Sequence, residues 1–400
     1  MDLMPVEEAR ARILSKAKRL AIEKIDLADG LGRILATPLS AMRDQPPFQA
    51  SAMDGYAVRV CDVATVPVKL TVIGTAAAGH GFVGSLKAGE AVRIFTGAPI
   101  PADADAVVIQ ENTSPSINAV TVLQSVRAGQ NIRNRGLDFK KGEMLLPAPI
   151  RLNARDIGLA AAMNCSLLPV CRKPVVAVIA TGDELVLPGE HPRADQIVSS
   201  NSNALVALAK SFGATVINCG IVRDDLKATE RAIAKMSKAD VIVTTGGASV
   251  GDQDFIKQAL KNSGIKIDFW KIAMRPGKPF IYGRKAHQHF LGLPGNPVSA
   301  LVCARLFLKP LLNAMQGLPT EEDLMVAHLA VAMGPNDSRQ DYVRARLEEA
   351  ANGKRTVTPF NVQDSSMQRT FRDATCLIIR TPNAPEAGAG TLVPILNLDF

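Results

Sequence analysis

Residues 239–260 read ADVIVTTGGASVGDQDFIKQAL, and this stretch decides the fold of the central part of the chain. Val241, Ile242 and Val243 form a short apolar, β-branched run of the kind that makes a buried strand. Thr244-Thr245-Gly246-Gly247-Ala248-Ser249 breaks the run, and Phe255, Ile256, Ala259 and Leu260 then recur at helical spacing. The order is strand, glycine turn, helix. Gly246 and Gly247 allow positive φ and a close backbone approach to a ligand. The helix start beyond them offers unpaired N–H groups to an oxyanion. Asp252 and Asp254 would repel a bare phosphate but suit one bridged by Mg²⁺. Read alone, the stretch fits a plain turn equally well, with the two acids favouring the helix dipole.

Outward from this stretch, strands and helices alternate. Val175 to Ala180 is a buried-strand run, Asn203 to Phe212 a helix stopped by Gly213, Thr215 to Cys219 a strand, and Lys227 to Lys238 a helix. Such alternation predicts a parallel sheet with right-handed crossovers. Three polar motifs follow three strands: Thr181-Gly182-Asp183-Glu184, Arg223-Asp224-Asp225 and Gly246-Gly247. Ligands of open parallel sheets bind outside the carboxyl ends of the strands, so all three face one rim. Lys271 and Met274-Arg275-Pro276-Gly277-Lys278-Pro279 add cations near a tight turn, and Leu293-Pro294-Gly295-Asn296-Pro297 is a rigid turn that starts a helix. For any single Lys or Arg a solvated face is the ordinary reading; the clustering beside the acidic rim favours a site.

The amino-terminal part reads differently. Residues 6–22 have helical spacing, and IDLADGLGRILATPLSA reads as strand, turn and helix. Arg43 to Phe48 is a stiff proline connector into Ser51-Ala52-Met53-Asp54-Gly55-Tyr56-Ala57-Val58. By spacing alone, Asp54 reads as part of a surface turn. Residues 63–137 are rich in Val, Ile, Thr, Gly and Pro and predict a mostly β unit containing Thr96-Gly97, whose hydroxyl either holds an oxyanion or caps a turn. Ala154 to Ala162 is a short helix. Residues 321–400 lose the alternation, and Asp341 to Leu347, Thr375 to Ile379 and Thr391 to Leu398 read as strands of a small β domain.

Composition narrows the function classes. The chain has 400 residues, which predicts two to four domains. Aromatic residues are only 4%, too few for base-stacking platforms, and the net charge of +8 favours anionic partners without choosing among them. No basic run appears, so nucleic-acid binding is not expected. The six cysteines form no C-x-x-C pair, which predicts neither a disulfide framework nor a zinc site. The amino terminus lacks the apolar core of a secretory signal, and no apolar stretch of about 18 residues stands out, so a cytoplasmic protein without a membrane span is expected. His287-x-His289 would place both imidazoles on one strand face, without a third ligand nearby. No nucleophile elbow or Ser/His/Asp set appears.

Taken in order, SAMDGYAVR, RIFTGAPIPADADAVV, TGDEL, TTGGASVGDQD, MRPGKP and LGLPGNPVSA resemble the molybdopterin molybdenumtransferases, the family of the bacterial enzymes and the gephyrin E-domain. The resemblance covers nearly the whole chain. It implies an α/β multi-domain protein whose central parallel-sheet domain resembles molybdopterin adenylyltransferase, with a mostly β insertion domain and a C-terminal β domain. The boundaries expected are 1–45 with 138–172 for an N-terminal linker domain, 46–137 for the β domain, 173–320 for the α/β domain and 321–400 for the last. It implies a homodimer that inserts molybdate into adenylated molybdopterin, releases AMP and depends on Mg²⁺. Molybdopterin adenylyltransferase and cofactor-accepting molybdoenzymes are the implied partners.

The resemblance also assigns roles. Glu184, Asp224 and Asp254 would hold Mg²⁺ or the pyrophosphate. Asp54 and Thr96 would come from the second domain of the partner subunit, with Asp138 an acid at that domain's end. Lys271, Arg275 and Lys278 would neutralise phosphates or bind molybdate. Thr181, Gly182, Gly246, Gly247 and Ser249 would cradle the pterin phosphate, and Pro294 and Pro297 would shape the loop beneath. Arg275 stands where several relatives carry lysine. The segment Ser365 to Arg372 departs from the family's serine-bearing pattern, and no role is assigned to the last domain. Two other functions fit less of the sequence: adenylation of molybdopterin by ATP, which a lone α/β domain would suffice for, and a non-catalytic pterin carrier or scaffold.

Overall fold

The computed structural model describes residues 3–246, 253–322, 324–398 and 400, with the backbone alone for 253–255. Gly247, Ser249, Asp252 and the side chain of Asp254 lie outside the described residues. The chain forms two compact units, residues 1–23 with 170–400, and residues 24–169.

The first unit is built on a six-stranded sheet. Its order is Thr215–Val222, Val175–Thr181, Val241–Thr245, Gln288–Leu293, Ile281–Lys285 and Lys266–Trp270. The first four strands run parallel. The two inner runs are apolar almost throughout because both faces of the sheet are covered. Val176, Val178, Val241 and Val243 pack on one face with Leu205, Leu208 and Leu311. Ala177, Ile179 and Ile242 pack on the other with Ile233, Ile256 and Leu260. This alternation is the period-two pattern of a strand. The flanking helices are Asn201–Ser211, Leu226–Lys235 and Gln253–Asn262. Gly213, at φ +88°, follows the first of them as its spacing predicts.

A continuous helical run follows the Pro294 turn: Pro297–Cys303, a π-helical turn Ala304–Leu308, and Lys309–Gln316. By length and composition it could cross a membrane, contrary to the reading that no stretch was apolar enough, but 78% of its apolar window is buried inside the unit. It is a core helix. The last part of this unit is a closed β-barrel of Leu324–Leu329, Gln340–Glu349, Arg355–Pro359, Cys376–Arg380 and Leu392–Asn397. Gln340–Glu349 pairs with both Arg355–Pro359 and Cys376–Arg380, which closes the ring. The sequence reading found three of these five strands.

Three other expectations are corrected. The first helix spans Val6–Leu14 and stops well short of residue 22. Ala17 keeps the apolar spacing beyond Ser15, but the helix has ended there, and the Leu20 N–H donates to Met315 O at 2.8 Å. The piece expected as strand, turn and helix has no α-helix; Leu27–Asp29 is a 3-10 turn, followed by the short strands Ile34–Leu35 and Leu39–Ser40. The two histidines do not share a strand face. His287 lies exposed in the hairpin turn, whereas His289 is buried in the strand with Nδ1 3.0 Å from Tyr282 Oη. Burial, with help from the Arg284 charge, pushes the His289 imidazole down to about 4.

The second unit carries a six-stranded sheet ordered Ala106–Ile109, Gly55–Val58, Glu90–Ile94, Val68–Ala76, Ala119–Val122 and Thr113–Ser116. Val58, Val63, Leu70, Val108 and Val120 form part of its core. The helix Ala154–Ala162 starts with a reciprocal capping box between Asn153 and Asp156. Gly55 sits where the Gly55–Val58 strand presses on its neighbour: a Cβ there would fall 1.9 Å from Val108 O. Gly55→Ala is therefore expected to destabilise this unit by about 1–3 kcal/mol through overpacking. Thermal denaturation checks this, and an unchanged melting temperature would contradict the packing described.

Candidate active site

The ends of the parallel strands are laced together by backbone and small polar side chains. Gly246 leaves its strand at φ +94°, and a Cβ on it would lie 2.1 Å from Thr181 O. Only glycine allows this approach, so the strands ending at Thr181 and Thr245 finish side by side. Thr245 Oγ1 donates to Pro294 O at 3.1 Å. Asn201, the first residue of its helix, donates to Thr245 Oγ1 at 3.1 Å and to Gly295 O at 2.6 Å. Around these atoms lies a cavity of about 220 Å³ lined by Thr181, Glu184, Ser200, Asn201, Gly246 and Pro297, among others. The helices beginning at Asn201 and Pro297 both open into it, so orphan N–H groups and dipole ends of one sign meet there. Among the described residues, Thr181 Oγ1 is buried with no hydrogen-bond partner. An unsatisfied hydroxyl at a cavity wall is a donor held ready for a ligand.

A second hollow of about 510 Å³ shares Gly295 and Asn296 with the first. Its walls include Arg275, Lys278, Pro294, Ser299, Arg339 and Ser365. The last two come from the C-terminal barrel, to which the sequence reading gave no role. Asn296 Nδ2 donates to Ser365 Oγ at 2.6 Å, and Val298 N–H donates to Ser365 O at 3.0 Å. Arg344, 1% exposed, fixes this segment by donating to Gln363 Oε1 and, at 2.7 Å, to Asp364 O. The serines at 365 and 366 were the available signal; their neighbours' departure from the family pattern hid it.

The predicted cations are not equivalent. Arg275 lines the hollow, but its guanidinium is engaged by Asp341 and Asp337, which raises its pKa further. It ties its own short strand, Met274–Arg275, to the barrel strand beside it, and so is less available to a phosphate than its position suggested. Lys278 is exposed and has no ion pair among the described residues. Lys271 is not part of the hollow's wall; its backbone is held at φ +65° and its ammonium lies 5.1 Å from the Trp270 ring centre.

The acids divide as well. Glu184 lines the smaller cavity. Asp224 ends the neighbouring strand, its N–H donating to Asp183 Oδ1 at 3.4 Å, while Asp225 caps the next helix through Ala228 N–H at 2.7 Å. Among the described residues no three His, Cys, Asp or Glu side chains converge as a metal set. Thr181, Glu184, Gly246, Pro294, Pro297 and Lys278 line the two joined hollows, whereas Gly182 is not in the described wall of either.

In the second unit, Asp54 and Thr96 come together although 42 residues separate them. Thr96 N–H and Oγ1 donate to Asp54 Oδ1 at 2.7 and 2.8 Å. The backbone bond foremost, and then the hydroxyl bond, hold the Asp54 carboxyl below the usual carboxylate range. Arg93 lies behind the pair, 5.0 Å from the Tyr56 ring centre and 4.9 Å from that of Phe95. Asp138 is exposed on the turn before Phe139, and its N–H donates to Gln45 O at 2.9 Å.

Comparison with known proteins places this geometry. Three family profiles match in sequence: the MoeA N-terminal region (domain I and II) over residues 4–164, the probable molybdopterin binding domain over 177–314, and the MoeA C-terminal region (domain IV) over 326–398. A molybdopterin molybdenumtransferase of a Nostoc species is 42% identical, with 74% of this chain and 70% of the relative covered. One from Haemophilus influenzae is 34% identical with 98% of each covered. A crystal structure of the molybdopterin biosynthesis MoeA protein from Pyrococcus horikosii matches with a TM-score of 0.86 at 30% identity, covering 100% of both chains.

The Asp54–Thr96 contact makes a titration prediction. Because the folded carboxyl ionises more readily than the unfolded one, its stabilising contribution is present above the ordinary pKa of about 3.9 and is lost as pH falls through the lower folded value. Thr96→Val removes the hydroxyl bond and keeps the backbone bond. Carboxyl NMR titration of Asp54 should show its pKa rising part of the way towards the ordinary value; no movement would mean that the hydroxyl contributes nothing.

Proposed function

The chain belongs to the molybdopterin molybdenumtransferase family and is a transferase of molybdenum cofactor biosynthesis that inserts molybdenum; from that premise we propose how the two joined hollows divide the work. The phosphate end of adenylated molybdopterin lies in the smaller cavity. There it accepts hydrogen bonds from the helix start at Asn201 and the backbone around Gly246. Molybdate lies in the larger hollow beside Lys278, where the ammonium, the Ser365 hydroxyl and the Asn296 amide face an oxyanion. The observation that carries this reading is the shared wall at Gly295 and Asn296, which lets one substrate reach both anion-binding ends.

Mg²⁺ would be held by Glu184 and Asp224, with Asp254 as a further ligand. Magnesium uses one or two carboxylates plus substrate phosphates and keeps several waters, so the incomplete protein set described above suits it. The bound ion would supply charge neutralisation at the pyrophosphate. The residues themselves orient: Asn201 and Thr245 fix the cradle, and Lys278 stabilises negative charge as the two dithiolene thiols replace one molybdate oxygen, which leaves as water with the two thiol protons; one water then adds across the pyrophosphate bond, so that the pterin keeps its phosphate. AMP is the leaving group. In this reading the dithiolene sulfurs of the substrate, and no protein thiolate, ligate the molybdenum.

Asp54, Thr96 and Asp138 act in this reading from the partner subunit of a homodimer. An adenylyl-transferring enzyme supplies the substrate and a molybdoenzyme takes the product, in the cytoplasm.

Three outcomes follow. Purified protein should release AMP from adenylated molybdopterin only with molybdate and Mg²⁺ present; release without molybdate would argue for a hydrolase, and full activity in excess chelator would remove the metal. Lys278→Gln should raise the KM for molybdate at least tenfold, roughly the loss of one charge-assisted hydrogen bond. Asp54→Ala should abolish most turnover while the melting temperature stays nearly unchanged, since Thr96 is exposed and its N–H can turn to water. A drop of many degrees would make Asp54 structural.

A further inference from the structure

The opposite end of the central sheet carries a basic hollow of about 430 Å³. Four cations line it: Lys16 from the segment after the first helix, Lys266 on the edge strand, and Arg284 and Lys285 on the strand beside it. None of the four is ion-paired among the described residues. The one carboxylate in the wall, Asp268, is already bound by Arg12 at 3.0 Å. Arg284 and Lys285 spend donors on backbone only, reaching Lys16 O at 3.4 Å and Ser263 O at 2.9 Å.

The position separates this hollow from the strand-end site. Lys285 and Gln288 are paired at the hairpin that opens the parallel strand Gln288–Leu293, whereas Pro294 at its other end belongs to the site. Six residues of strand, at about 3.3 Å each, put roughly 17 Å between the two ends. Among the described residues, none lines both.

Four like charges from three chain segments, converging on a concave wall whose one described carboxylate is already paired with Arg12, focus a positive potential that repels itself until an anion enters. The size selects the class of anion. A protein partner of ordinary affinity covers about 800 Å² on each side, far more than this hollow offers, whereas a few hundred cubic ångströms suits a small molecule. Arg and Lys together are the usual donors to phosphate oxygens. We infer that this hollow is a second anion site, taking a dianionic phosphate group carried by a small molecule. Free phosphate and a nucleotide monophosphate share that chemistry.

Calorimetric titration at low ionic strength tests it, using inorganic phosphate and, separately, AMP, on the full chain. Wild type, Lys266→Gln/Arg284→Gln and Lys278→Gln are compared, the last to weaken anion binding in the hollow beside Lys278. The double variant alters exposed or half-exposed side chains, and an unchanged melting temperature shows that it folds. The expected result is a binding component that persists in Lys278→Gln and weakens at least tenfold in the double variant. AMP binding more tightly than phosphate would assign a nucleotide as the source, and equal affinities free phosphate; either supports the site. No binding in wild type, binding that only Lys278→Gln removes, or binding that neither variant changes overturns it.

Discussion

The close approach of Gly246 to the Thr181 carbonyl is the contact on which the site rests. A Cβ at residue 246 would lie 2.1 Å from that oxygen. With hydrogen in its place, two parallel strands finish at the same level. Their ends, with the Asn201 amide and the Pro294 turn, then form one continuous rim. Thr245 Oγ1 reaches Pro294 O at 3.1 Å and the Asn201 amide reaches Gly295 O at 2.6 Å across these strand ends. The backbone thus positions the anion-binding wall before any charged side chain is considered.

The rim is completed by a barrel that lies far along the chain. Arg344 is a buried cation whose donors go to the Gln363 amide oxygen and the Asp364 carbonyl rather than to a carboxylate. Burial lowers its pKa, and the nearby Asp364 and Asp341 charges oppose that shift. Holding a guanidinium in such surroundings is costly unless each donor is used. The result is a fixed loop that sets Ser365 against Asn296. Arg275, paired with Asp341, secures the same junction from the other side. In this molecule one expected ligand-binding cation has become a structural tie, and an unassigned serine segment has become part of the wall.

How much of this was legible follows from which signals are local. The strands at Val175 and Val241 and the helix after Asn201 were readable because continuous apolar runs and helical spacing are local patterns, and Gly213 stopped the helix where its left-handed turn required. Gathering of Glu184, Gly246 and Pro294 followed from one rule about the carboxyl ends of parallel strands. The Asp54–Thr96 bond was not readable from spacing, since it spans two strands of a sheet whose order no local pattern reveals; the family resemblance named both residues, and the structure supplied the bond. The role of Ser365 and the ion pairs of Arg275 were missed for the same reason: both depend on how a barrel seats on another domain. The first helix reads longer than it is because Ala17 keeps the apolar spacing past Leu14, whereas the Leu20 N–H bonds to the Met315 carbonyl.

The central claim is that the hollow between Lys278 and Ser365 receives the oxyanion. Diffraction at the molybdenum absorption edge, from crystals grown with molybdate, tests this most directly. The account predicts an anomalous peak inside that hollow, within hydrogen-bonding reach of the Lys278 ammonium and the Ser365 hydroxyl. A peak elsewhere in the molecule, with this hollow filled only by water, would contradict it.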